Sequence, residues 1–226
     1  MFLRRSDFSR AATLTVEFTR ELPLTLGVLF LLSFAGIRYF EGVAVELATS
    51  EQGPWMAQMG QAVVSMTEGF AVLLIGGYFL MCRHEKITWR EFFRRTIAPL
   101  TAESLRALTL ILLWSLALLI PGFIMYCRLS LIPFIVFCDP TYSTRPDAIA
   151  RSMELTKRCW PRLFLFMLAL AVVSAVFELA PHMLMIDDLI TRIMFDFSGF
   201  LFSLFGFMLL YIIFENLRDS HDAKES

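Results

Sequence analysis

The stretch from 107 to 138 constrains the fold most. It is apolar almost throughout, yet Pro121-Gly122, Arg128 and Pro133 interrupt it, and basic segments flank it on both sides. Since one span takes about 20 residues, the run can cross a bilayer twice with short helices. Lys and Arg stay on the side of the membrane where loops are retained during insertion. Basic flanks therefore put both ends of the run on one side, which sets the parity of the whole chain. A rival reading is one long helix kinked at Pro121 with a re-entrant tail. That leaves the two basic loops on opposite faces unless the tail returns, so two spans, 104–120 and 123–138, are preferred.

Composition agrees with a chain that lives in lipid. Hydrophobic residues make up 57% of the 226 and mean hydropathy is +0.65, against about 45–50% apolar in soluble domains. Of 20 Lys and Arg, six fall from Arg83 to Arg106, five from Arg145 to Arg162 and four before Leu22, while 41–82 has none. The expectation is an all-α, polytopic helical bundle with six transmembrane helices and both termini cytoplasmic. Cys82, Cys127, Cys138 and Cys159 make no CxxC pair and the histidines are scattered. Neither a disulfide framework nor a zinc site is expected. The first apolar run starts only after about twenty mixed residues, so it reads as a retained span and not a cleaved signal.

Residues 6–21 place Phe8, Ala11, Ala12, Thr15, Phe18 and Leu22 at helical spacing. They read as an amphipathic helix on the membrane surface, with Arg4, Arg5 and Arg10 near headgroups. Spans at 24–40 and 61–82 follow, joined by an outer loop. Thr88-x-x-Glu91 reads as a capping box opening a second interfacial helix, 89–97. Trp89, Phe92, Phe93 and Ile97 fall on one face of it, opposite Arg90, Arg94 and Arg95, and Pro99 ends it. The segment 144–147, Thr-Arg-Pro-Asp, reads as a helix start with proline in the first turn. It opens a third cytoplasmic helix, 145–159, lined by Ile149, Ser152, Met153, Thr156 and Trp160. Spans five and six follow at 163–179 and 193–214, the phenylalanines of the last reading as lipid-facing bulk.

From 121 to 162 the motifs form a pattern: Pro121-Gly122, then Arg128-Leu129-Ser130, Pro133, Asp139-Pro140, and a helix from Ala148 to Lys157 that reads Ala-x-x-Arg-Ser-x-x-Leu-Thr-Lys. This resembles the six-span membrane domain fused to some bacterial glycerophosphodiester phosphodiesterases, and its stand-alone relatives. That family commonly has Gly-Asn or Gly-His after the Lys, where this chain has Arg158-Cys159. The resemblance implies a multi-pass protein of a bacterial plasma membrane. It does not imply phosphodiesterase activity, because nothing in these residues resembles the soluble catalytic barrel.

Ionisable residues that fall within or at the edges of spans include Arg38, Glu68, Arg128, Glu178 and Asp196. Charge near the bilayer centre costs roughly 2.5–3.5 kcal/mol, so each needs a reason. Six spans place all five in the outer third of the bilayer. They read either as a polar vestibule or as structural ion pairs and snorkelling side chains. Arg128 is expected to pair with Glu68 or Asp196.

No HExxH, no GxSxG and no nucleophile–base pair at matching depth is present, so an enzyme is not expected, nor is a cofactor or a metal. The function expected is a lipid-associated organiser or scaffold. The alternative is a subunit of a transporter or channel with an outward-facing polar site around Arg128. The partners expected are anionic lipids, drawn by Arg90, Arg94, Arg95, Arg151, Lys157 and Arg158. A second copy or another membrane protein is a further candidate; nucleic acid is not.

Overall fold

The computed structural model describes residues 5–46, 53–85, 87–117, 119–143, 146–183 and 188–225. Among these residues every regular element is helical. The order is α1 (Arg5–Glu21), α2 (Pro23–Glu46), α3 (Gly53–His84), α4 (Trp89–Ala117), α5 (Leu119–Leu129), α6 (Ile132–Cys138), α7 (Ala148–Thr156), α8 (Trp160–Met183) and α9 (Leu189–Glu225). A 3₁₀ turn, Pro140–Ser143, joins α6 to α7. Six segments are long and apolar enough to cross a membrane: those in α2, α3, α4, α8 and α9, and the α5–α6 pair. The chain is an all-α, multi-pass membrane bundle. Its outer surface fits that reading, since α8 exposes Leu165, Leu168, Val172 and Val176 in one helical stripe. Water would not tolerate such a belt on a monomer, whereas lipid does.

The core forms around α9, whose Leu204, Met208, Ile212 and Phe214 are fully buried. Phe134 of α6 packs among Phe207, Tyr211 and Phe214, at 5.0, 6.0 and 6.2 Å between ring centroids. Phe207 and the buried Phe200 thus turn inward, where the sequence pattern suggested lipid-facing bulk. Two adjacent glycines make room for this. A Cβ on Gly76 would stand 2.5 Å from the Phe207 ring, and one on Gly77 2.5 Å from the Phe137 ring. Bare backbone on α3 lets α6 and α9 close on it.

The first helix departs from its expected face. Its buried stripe is Asp7, Ala11, Leu14 and Phe18, with the Phe18 ring packed at 5.0 Å and tilted 44° against Phe79 of α3. Phe8 and Ala12 are exposed instead. The helix docks on protein as well as facing lipid, and Leu14 completes the 3.6-residue period better than Thr15 does.

Proline positions also shift boundaries. Pro99 does not end a helix; α4 runs through it to Ala117. A proline in a helix interior costs about 3 kcal/mol. Burying a Phe or Leu side chain returns about 1.5–3 kcal/mol each, and Phe92 and Leu100 on either side of Pro99 are both buried. Pro121-Gly122 is not the turn between spans three and four either. α4 ends at Ala117 and α5 starts at Leu119, and Pro121 sits in the first turn of α5, where its missing N–H loses nothing. Gly122 lies against Ser115, with its hypothetical Cβ 2.8 Å from Ser115 Cα, so the two arms of the hairpin touch backbone to backbone. The expected span 123–138 is split between α5 and α6 by a turn at Ser130-Leu131. The N-cap of α7 is Asp147, whose carboxylate accepts from the Ala150 amide at 3.1 Å; Thr144 and Arg145 lie outside the described residues.

Candidate functional site

The three basic segments converge on one end of the bundle. Arg83, at the end of α3, pairs with Glu17 of α1 at 2.6 Å, and Arg10 of α1 pairs with Glu215 of α9 at 2.7 Å. Arg218 of α9 donates to the Cys138 carbonyl at 3.3 Å, satisfying one of the acceptors that the end of α6 leaves open. Arg151 of α7 is the densest node. Its guanidinium reaches Asp139 at 3.4 Å, Glu154 at 3.5 Å and Asp222 at 3.0 Å. His221 joins from α9, its Nε2 3.3 Å from Glu154. Asp139 is fully buried and also accepts from the Thr141 amide and hydroxyl at 2.9 and 2.6 Å. Burial alone would lower the Arg151 pKa, but the hydrogen bond to Asp222 and the charge of Asp139 outweigh it and raise it.

Arg128 belongs to this end too, and among the described residues its acceptor is a backbone carbonyl and not Asp196, which is held by Arg38. Its guanidinium donates to the Met153 carbonyl at 3.0 Å, while Ser152 donates to the Arg128 carbonyl at 2.6 Å. The last four carbonyls of any α-helix lack partners within it. Met153 lies in the last turn of α7 and Arg128 in the last turn of α5, so each helix end caps the other. Ser130 closes the Cys127 carbonyl at 2.8 Å, and Thr156 closes the Ser152 carbonyl at 2.7 Å. A cation at a helix C-terminus is also favoured by the helix dipole. The Arg-x-Ser and Arg-Ser-x-x-Leu-Thr elements of the sequence meet here. They stop two broken helices from leaving bare carbonyls in an apolar surrounding, where each would cost several kcal/mol.

Of the five charges expected in one layer, Arg38 and Asp196 stand apart from Arg128. Asp196 pairs with Arg38 of α2 at 2.9 Å, and that guanidinium also lies 5.0 Å over the Phe34 ring. This pair is displaced along α9 from Glu215 by about 28 Å at 1.5 Å per residue, so it stands near the other end of the bundle. The side chains of Glu68 and Glu178 lie outside the described ones.

The six cations expected to meet lipid divide into two groups. Arg151 is turned inward and committed to carboxylates. Arg95 is exposed but bridges Glu85 at 3.3 Å and Glu91 at 3.5 Å. Arg90, Arg94, Lys157 and Arg158 are exposed, with no carboxylate partner among the described residues. The face of α4 also differs from its expected form. Phe92 and Thr96 are buried with Leu100, and Trp89 stacks on Tyr78 at 3.7 Å. That rotation leaves Arg90, Phe93, Arg94 and Ile97 together on the outer face, at i, i+3, i+4, i+7 spacing, Phe93 and Ile97 being 40% and 38% exposed. The mixed stripe was hidden because Phe92 and Phe93 look equivalent until one of them finds the Tyr78–Phe137 pocket.

Asp188 caps α9. It accepts from the Thr191 amide at 2.9 Å and hydroxyl at 2.7 Å. Asp187 lies outside the described residues. Among the described residues no three His, Cys, Asp or Glu side chains are grouped as a metal site. Compared with protein-family models, with curated proteins and with solved structures, the chain finds no match.

Proposed function

We propose that this chain is a non-enzymatic, lipid-associated organiser of a bacterial plasma membrane, with its basic end in the cytoplasmic leaflet. The observation that carries the reading is the outer stripe of α4. Arg90 and Arg94 alternate with exposed Phe93 and Ile97, and no carboxylate neutralises either arginine among the described residues. Apolar side chains of such a stripe seat at the acyl boundary while the arginines meet phosphates. With Lys157 and Arg158, four unneutralised cations supply an attraction of about 4 kcal/mol to an anionic surface, at about 1 kcal/mol each. A transport role ranks second. The break between α5 and α6 favours it, since broken spans mark substrate sites, but the Arg128 and Cys127 carbonyls freed there are already held by Ser152 and Ser130.

The test is native mass spectrometry of the detergent-extracted protein with phosphatidylglycerol, comparing the parent with the fourfold Arg90→Gln, Arg94→Gln, Lys157→Gln, Arg158→Gln variant. Retention should fall, with the larger difference at low salt. Arg95→Gln should change little, because its charge is already balanced. Equal retention by parent and fourfold variant would refute the proposal.

A further inference from the structure

A second polar feature at the same end is a groove of about 470 Å³ between α1, α9 and the end of α3. Four charges line it: Arg10, Arg83, Glu17 and Glu215. They form two pairs, Arg10–Glu215 at 2.7 Å and Arg83–Glu17 at 2.6 Å, so the lining is formally neutral. Ser6, Ser9 and Thr13 add hydroxyls from α1, Tyr211 donates to Glu215 at 2.6 Å, and Leu14 is the one aliphatic contributor among the described lining residues.

The stripe on α1 that makes this wall, Ser6, Arg10, Thr13 and Glu17, is separate from its buried stripe and from exposed Phe8 and Val16. The helix therefore has three faces: one against protein, one apolar and open, one charged. An apolar helix face at the end of a membrane bundle lies at the headgroup boundary. The charged face then opens at headgroup level.

From this lining we infer that the groove binds a zwitterionic headgroup of the phosphoethanolamine class. A simple anion would meet two guanidiniums but also two carboxylates, and a simple cation the reverse. A ligand with a phosphate and a primary ammonium is itself neutral, so its phosphate can lie beside the guanidiniums and its ammonium beside the carboxylates while the loaded groove stays neutral. Guanidinium forks fit phosphate oxygens two at a time. An ammonium has three N–H donors to offer the exposed Glu17 carboxylate, whereas a quaternary ammonium has none to give and is held by aromatic cages instead. Among the described lining residues the only aromatic side chain is Tyr211. The site is independent of the basic stripe on α4, where the neighbouring Glu91 pairs with Arg95 and leaves Arg90 and Arg94 to suit anionic lipid.

Calorimetric titration of the full chain in detergent tests this. The probes are dihexanoyl phosphatidylethanolamine, dihexanoyl phosphatidylglycerol, dihexanoyl phosphatidylcholine and free phosphoethanolamine. The ethanolamine lipid should bind at least about tenfold more tightly than the glycerol or choline lipid, the scale of one lost charged hydrogen bond. Glu17→Gln and Arg83→Gln should each weaken it by about tenfold, while the Arg90→Gln, Arg94→Gln double variant should not. The Arg83–Glu17 pair is exposed on both sides, 44% and 43%, so breaking it leaves folding little changed. Arg83→Lys, which keeps the charge, should still weaken binding through loss of the fork. Free phosphoethanolamine binding as tightly as the lipid would uphold the headgroup chemistry and assign a soluble source. An ethanolamine lipid bound no better than the other two, or unchanged by Glu17→Gln and Arg83→Lys, overturns the inference.

Discussion

Single side chains at the basic end do two jobs, neutralising charge and closing carbonyls, and substitutions separate the two. Ser152→Ala removes the donor from the Arg128 carbonyl, 2.6 Å away, and deletes no charge. An unmet buried acceptor costs about 1–3 kcal/mol, so the melting temperature in detergent should fall. Arg151→Met is more severe, because Asp139 is fully buried beside it. Stripping one partner from a buried pair costs about 3–5 kcal/mol in soluble proteins. Adding Asp139→Asn should recover part of that loss, and a thermal-melt cycle over the four proteins measures the coupling. Arg128→Leu should destabilise with no rescue from Asp196→Leu, whereas Asp196→Leu should couple to Arg38→Leu, its 2.9 Å partner.

Helices meet here through a few close approaches. Gly122 faces Ser115 with 2.8 Å between the Cα of Ser115 and the place a Cβ would occupy. Gly122→Ala must therefore spread the α4–α5 hairpin. Overpacking of this kind costs about 1–3 kcal/mol, readable as a lower melting temperature, while Gly27→Ala, which meets nothing within 4 Å, serves as the control. The start of α9 responds to pH instead. Hydrogen bonds from the Thr191 hydroxyl and amide hold the Asp188 carboxyl below its usual range. A carboxylate with a depressed folded pKa stabilises above its unfolded value, about 4, and the contribution is lost as pH falls through the lower folded value. Amide exchange at Thr191 should stay slow down to about that pH and speed up below it. The helices themselves were legible in sequence, because apolar run length and Lys/Arg bias are one-dimensional signals. Their junctions were not. Arg128 was read against Glu68 and Asp196 because only side chains have letters, and its acceptor among the described residues is the backbone of Met153. Likewise Pro99 looked like a stop until the burial of Phe92 and Leu100 was set against it.

On the scale of the molecule, α1, the α3–α4 turn, α7 and the last turns of α9 share one end, and Arg38–Asp196 stands toward the other. Cysteines placed at Gly53 and Lys157 should accordingly react with an impermeant maleimide from opposite sides of a sealed vesicle. Labelling of both from one side would break the six-span arrangement. The helix that connects the two ends has 37 residues and no proline. At about 1.5 Å per residue it is roughly 55 Å long, well beyond the roughly 30 Å hydrocarbon layer. Asp196 near one end is gripped by α2, and Glu215, Arg218 and Asp222 near the other are gripped by α1, α6 and α7. Such a helix is one unbroken shaft held at separate levels by different elements, so the Arg38–Asp196 pair and the Arg151–Asp222 pair share a single length of backbone with no break between them.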